Sequence, residues 1–426
     1  MAERTGFVEA EYLVETPLDP TEVAGIMAGE QSCGTFVRVA GETDELRDRA
    51  AAHILAVEEL DARPEPSLAS AWQERKGFAG PWRRARVRIA YPVANMGANL
   101  PTLASTVAGN LYDLGEVSGL RLTDVRMPEA YRNRYPRPVL GVAGTRERLG
   151  VHGRPFFGTI IKPNVGLSSE EIATLVETLC EAGVDFIKDD EICANPDHAP
   201  IAERVPAVMA RVRAYRERTG RDVMIAFNVT DETDAMRRHA DLIEREGGSC
   251  AMASLNWCGL SAVETLRRST PLALHGHRNG FGAFARHPSL GIGFDAYQAL
   301  YRLAGIDHLH VHGIGGKFSD QPAEVEAAAR RSLAPLAFDA TQPDPVLPVF
   351  SSGQWAGTLK TTADAVGSAD FMFLAGGGIL AHPDGPSAGV TSLRQAYEAI
   401  AEGRTLDDHA ARRPELKAAM AFFGGR

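Results

Sequence analysis

Residues 155–191, PFFGTIIKPNVGLSSEEIATLVETLCEAGVDFIKDDE, read as strand, helix, strand. An apolar, β-type run at 156–161 stops at Lys162. A helical run at 168–182 then opens on Ser168-Ser-Glu-Glu171, the pattern in which a serine and a glutamate cap each other's backbone. A second buried-strand pattern at 185–188 follows and breaks into Asp189-Asp190-Glu191. Working outward, the same unit recurs. Strand-like runs stand at 222–227, 250–254, 271–275, 307–311, 346–350 and 369–374. Helical runs stand at 202–218, 233–246, 294–304, 323–334, 361–366 and 392–402. Eight strands alternating with helices over about 270 residues predict a closed parallel barrel, whose catalytic side chains belong at the C-terminal ends of the strands.

The first 140 residues lack this rhythm. Residues 11–14, 34–40 and 85–93 read as strands, 43–57 as a helix with Ala and Leu on one face, and 128–137 as a proline-rich linker. The fold class predicted is α/β: a (β/α)8 TIM barrel over 141–426, preceded by an α+β, ferredoxin-like domain over 1–140.

Composition narrows the function. The chain has 426 residues, with 45 Lys and Arg against 55 Asp and Glu, a net charge of −10. An acidic surface argues against nucleic acid or anionic membrane as partners. The one basic run, Arg83, Arg84, Arg86 and Arg88, alternates with Ala85, Val87 and Ile89, as a strand with a solvated basic face would. Five cysteines without a C-x-x-C pair point to a reducing compartment. The first residues carry acids and no apolar core, unlike a signal peptide, and no apolar stretch reaches the ~20 residues of a membrane helix. These features predict a cytoplasmic protein.

Polar residues crowd the predicted strand ends: Lys162, Lys188 to Glu191, Asn228, His275 to Arg278, His308, His310 with Lys317, Ser351, and Gly376 to Gly378. On a strand Lys188 and Asp190 share a face, and Glu191 joins them where the strand breaks. Two carboxylates beside a lysine suit a divalent cation with oxygen ligands, Mg²⁺ foremost. The lysine either pairs with the acids, the common arrangement, or becomes an anionic ligand by carbamylation with CO₂. Gly376-Gly-Gly378 after the last strand suits phosphate, with Arg278 and Ser351 completing an anion site. His277 and His310 read as acid/base groups or as satisfied core histidines.

Gly158-Thr-Ile-Ile-Lys-Pro163, Gly183-Val-Asp-Phe-Ile-Lys-Asp-Asp-Glu191, His275-Gly-His-Arg278, Asp307-His-Leu-His310, Gly316-Lys317, Ser351 and Gly376-Gly-Gly-Ile-Leu-Ala-His-Pro383 resemble the large subunit of RuBisCO. Glu30, Gly34-Thr35 and Asn110 resemble its N-terminal site segments. The resemblance implies a head-to-tail homodimer in which one N-terminal domain completes the neighbour's site, with Glu30, Thr35 and Asn110 binding substrate. It implies one Mg²⁺ per site on carbamylated Lys188, Asp190 and Glu191. Lys162 would be the acid/base at the enolising carbon, and Lys317 would sit on a mobile loop over the reacting group. His277 would handle a proton or a hydroxyl. Arg278, His310 and Ser351 would bind phosphate and hydroxyls, and Gly376 and Gly377 a second anionic end.

Four departures matter. Carboxylases have Lys-Pro-Lys where this chain has Lys162-Pro163-Asn164. Phe36 stands in place of a Trp, Arg278-Asn-Gly-Phe-Gly282 lacks the next histidine, and His312 is added before Lys317. They point away from carbon fixation and toward RuBisCO-like proteins that keep the enolising machinery. The favoured reading is decarboxylation of a β-keto sugar acid phosphate such as 3-oxo-isoapionate 4-phosphate. The alternatives are an enolase or isomerase of methionine salvage and, in another class, a homologue that binds a phosphorylated ligand without turnover.

Overall fold

The computed structural model describes residues 5–34 and 39–425, in two compact units. Unit one comprises residues 1–137, 280–304 and 335–343, and unit two the remainder. Among the described residues no helix is long and apolar enough to cross a membrane.

Unit one is built on β1 (Phe7–Thr16), β2 (His53–Arg63), β3 (Trp82–Pro92) and β4 (Gly119–Arg126), antiparallel in the order β4-β1-β3-β2. The basic strand falls out as its alternation requires. Ala85, Val87 and Ile89 are fully buried, while Arg83, Arg84 and Arg86 reach Glu59 at 2.9 Å, Asp61 at 3.2 Å and Glu58 at 2.7 Å on β2.

Two expectations for this unit need correction. The helix expected over 43–57 stops at Ala50, capped by Thr43 at its start. From His53 the chain is β2, because Ile54 and Val57 gain a ladder with Ile89 and Val87 that a helix would forfeit. Residues 128–137 are more than a linker: they hold a helical turn (Glu129–Arg132) with Tyr131, Arg132 and Tyr135 buried. The strand expected at 34–40 falls largely on residues 35–38, outside the described residues.

Unit two is the barrel. Its strands are β5 (Phe156–Ile160), β6 (Phe186–Lys188), β7 (Met224–Asn228), β8 (Cys250–Ser254) and β9 (Ala273–His277). The short β10 (Leu290–Ile292) belongs to unit one, where it pairs with β4, and β11 (His308–His310), β12 (Leu347–Phe350) and β13 (Met372–Leu374) complete the ring. All eight barrel neighbours are parallel, and β11 closes on β9. Each predicted barrel strand is present. Ser168 and Glu171 cap one another, and Gly183 ends that helix at φ 84°, a conformation costly for any residue with a Cβ. The helix Leu255–Ser269 was not expected; Gly259, non-helical at φ 78° and ψ 166°, breaks its pattern into two short pieces.

The core cluster includes Phe156, Ile160, Phe186, Met224, Ala226, Cys250, Met252, Ala273, Leu347, Val349, Met372 and Leu374. Along each strand these alternate with period two, the spacing of side chains that share one face. The same count carried two residues further gives Lys162, Lys188, Asn228, Ser254, His275, Ser351 and Gly376. The apolar stack therefore ends in a polar layer at one mouth of the barrel.

Candidate active site

That layer is tightly connected. Lys162 Nζ donates to Asp190 Oδ2 at 2.7 Å and to Asn164 Oδ1 at 2.8 Å. Lys188, 1% exposed, donates from Nζ to the Asp189 carbonyl at 2.9 Å and to Glu191 Oε2 at 3.3 Å. His277 Nε2 lies 3.4 Å from the same Glu191 oxygen. The acid between Lys188 and Asp190 has another task. Asp189 pairs with buried Arg204 at 3.2 Å and accepts from Asn228 N at 2.9 Å, so strand alternation sorts adjacent carboxylates to different partners.

Electrostatics divide these groups. Burial pulls Lys188 below the ordinary lysine range, against the opposing pull of Glu191 and Asp190. Burial alone would raise Glu191, but Lys188 and His277 outweigh it and hold the carboxyl low. His277, His275 and His310 are all depressed, first by burial and then by Lys188 and by the penalty of charging one histidine beside another.

The histidines pack against one another, His275 edge-on to His310 and His277 tilted against it. Ring centroids lie 4.8 Å apart for His275 and His310 and 4.4 Å for His277 and His310. His275 Nε2 meets His310 Nε2 at 2.8 Å, and His310 Nδ1 meets Ser351 Oγ at 3.0 Å. Above them Arg278, 3% exposed, donates to Asp320 Oδ1 at 2.8 Å, while His312 Nδ1 meets Asp320 Oδ2 at 2.7 Å. His312, at φ 69°, packs tilted against Phe318, and Lys317 Nζ lies 5.3 Å from the Phe318 ring centroid. At the end of β13 a Cβ on Gly377 would meet nothing within 4 Å. One on Gly378 would sit 2.6 Å from the Gln354 carbonyl, so only Gly378 is dictated by packing.

The chain matches the ribulose bisphosphate carboxylase large-chain catalytic domain over residues 141–423 and the corresponding N-terminal domain over 10–131. The chain belongs to the RuBisCO large-chain family. Among its relatives is the 3-oxo-isoapionate-4-phosphate transcarboxylase/hydrolase of Xanthobacter autotrophicus, 46% identical over 99% of this chain and 100% of the relative. The 3-oxo-isoapionate-4-phosphate decarboxylase of Rhizobium rhizogenes is 40% identical over 97% of each. A solved structure of a rubisco-like protein from Burkholderia fungorum is 61% identical, with TM-score 0.93 over 98% of this chain and all of that one.

Within this family member the structure brings together Lys162, Lys188, Asp190, Glu191 and His277 in one cluster, and His310 and Ser351 in the adjoining histidine group. In unit one Asn110 Nδ2 donates to Glu30 Oε1 at 3.2 Å. Thr35 and Phe36 lie outside the described residues. Sequence reasoning missed Asp320, which sits just before the helix Pro322–Leu333 and resembles an ordinary helix-start acid. It also treated Asn164 as a lost cation, whereas its amide oxygen accepts from Lys162.

Proposed function

We propose that this protein decarboxylates a phosphorylated β-keto sugar acid, 3-oxo-isoapionate 4-phosphate or a close analogue. The observation that carries the reading is the paired contact Lys162–Asp190 and Lys188–Glu191 at the barrel mouth, in a chain whose full-length relatives bear that substrate in their names. In the reaction the bond from the α-carbon to the carboxylate carbon breaks and CO₂ leaves. The electron pair passes to the β-keto oxygen, and the α-carbon then takes up a proton.

The donor set suits a Mg²⁺ held by Lys188, Asp190 and Glu191. A buried lysine biased toward its neutral amine is the form that adds CO₂, and the carbamate would turn the one donor among three groups into an oxygen ligand. A Mg²⁺ bound there would supply Lewis-acid stabilisation of negative charge growing on the substrate oxygen. Lys162, fixed by Asp190 and Asn164, would deliver the proton to carbon. His277 would orient a hydroxyl or move a proton at Nε2. Gly376 and Gly377 would bind the phosphate through backbone N–H groups, with His310 and Ser351 on substrate oxygens. Arg278 would bind phosphate with them, and Lys317 would manage the carboxylate end. Glu30, Thr35 and Asn110 would act from a neighbouring subunit of a homodimer, with the N-terminal domain spanning 1–140 and the catalytic domain 141–426. All five cysteines are free, which supports a cytoplasmic setting.

The test is product stoichiometry with synthetic 3-oxo-isoapionate 4-phosphate after incubation with CO₂ and Mg²⁺. One equivalent of CO₂ per substrate consumed supports the decarboxylase. Consumption without matching CO₂ favours the second reading, transcarboxylation or hydrolysis, for which the higher identity to the Xanthobacter enzyme speaks. No consumption refutes both.

A further inference from the structure

Buried between the barrel strands, His275 faces no open space, yet its ring is not idle. Its Nε2 meets His310 Nε2, so one of the two nitrogens carries the hydrogen and the other is bare. His310 in turn meets Ser351 through Nδ1. Two circuits satisfy these contacts. In the first, His275 Nε2–H donates to His310, and His310 Nδ1–H donates to Ser351 Oγ. In the second every hydrogen runs the other way: Ser351 donates to His310, His310 donates to His275, and His275 carries its proton on Nδ1.

One atom separates them. His275 Nδ1 is buried and has no hydrogen-bond partner among the described residues. The second circuit strands an N–H donor there, whereas the first puts the proton of a neutral ring on the nitrogen that has an acceptor. His275 is fully buried, and burial disfavours its doubly protonated form, which would also need a partner at Nδ1. The first circuit follows.

We infer that His275 is a positioning residue: its Nε2–H locks His310 in the Nδ1–H tautomer, so that Ser351 accepts from His310 and turns its own hydroxyl proton toward substrate oxygen. Ser351 is thereby a donor at a mouth where negative charge develops on oxygen, and a fixed donor costs no reorganisation when that charge appears. The catalytic consequence rests on the enolate-forming reading above, but the tautomer itself needs no substrate.

The test uses ¹⁵N-histidine-labelled full-length protein, its imidazole nitrogens assigned with single histidine variants. The inference expects His275 with Nε2 protonated and Nδ1 bare, and His310 with the reverse. The opposite pair of tautomers overturns it, whatever the enzyme's substrate is. His275→Leu removes the donor, and His310 should lose its exclusive Nδ1–H state while kcat falls about tenfold or more with KM little changed. His275→Gln, which keeps an N–H donor, should restore both. A His275→Leu protein that folds with the wild-type His310 signature and kcat overturns the positioning role. If the leucine variant does not fold, the wild-type tautomers decide alone.

Discussion

Two lysines share the barrel mouth with two carboxylates, and their surroundings give them different work. Lys188 is sealed at 1% exposure, while the Lys162 side chain is 41% exposed and reaches across to Asp190. The sealed amine is the one whose charged form burial penalises, and the open one is free to meet a ligand. Asn164 belongs with the second: it accepts from Lys162, where carboxylating relatives would present a further cation. Asn164→Lys should therefore weaken turnover by crowding Lys162 with a like charge, and should not confer carboxylation of ribulose bisphosphate. Incorporation of labelled CO₂ into that substrate by the variant would show that this one position decides the outcome.

Among the elements, the loop between β11 and the helix Pro322–Leu333 holds the clearest local constraint. Asp320 bridges Arg278 and His312. Burial would raise this carboxyl, but His312 and Arg278 outweigh it and hold it far below the usual range. An anion approaching Arg278 must therefore compete with an internal carboxylate. Asp320→Ala is expected to tighten inorganic phosphate binding by up to about tenfold, measured by calorimetry. Unchanged affinity would mean that phosphate does not use Arg278. Elements of this kind set the limit of what the sequence discloses. The barrel strands were legible because buried parallel strands are short apolar runs, and the mouth because each run ends in a polar residue two positions on. Asp320 and the pairing of His275 with His310 were not, since both join strands or loops more than 30 residues apart in sequence. The helix Leu255–Ser269 was masked by Gly259, and β2 by a helical start at Asp44 that sheet pairing overrides from His53 onward.

Across the whole molecule, the buried histidines couple the site to global stability. His308 is pushed down to about 3 by burial, and His275 and His310 are also strongly depressed. Unfolded, each takes up a proton near its ordinary value of about 6.5; folded, it does not until far lower pH. The unfolded chain thus binds more protons between these limits. The stability conferred by neutral burial is complete above about pH 6.5 and is lost as pH falls below it, by about 1.4 kcal/mol per pH unit for each histidine. Denaturant midpoints measured from pH 7.5 down to 5 should show this decline. His308→Asn, which keeps a hydrogen-bonding group near Thr145, should reduce the slope by about one histidine's share. A slope unchanged in the variant would mean that His308 does not stay neutral in the fold.

The proposed reaction requires Lys188 to accept CO₂ between Asp190 and Glu191 and so complete an oxygen cage for Mg²⁺. Carbon-13 spectra of the protein equilibrated with ¹³CO₂ and Mg²⁺ test this directly. A carbamate resonance present in the wild type, absent in a folded Lys188→Ala variant, and accompanied by Mg²⁺-dependent turnover that the variant lacks is the predicted result. Full turnover by the Lys188→Ala protein, or by wild type held without CO₂ and Mg²⁺, would contradict it.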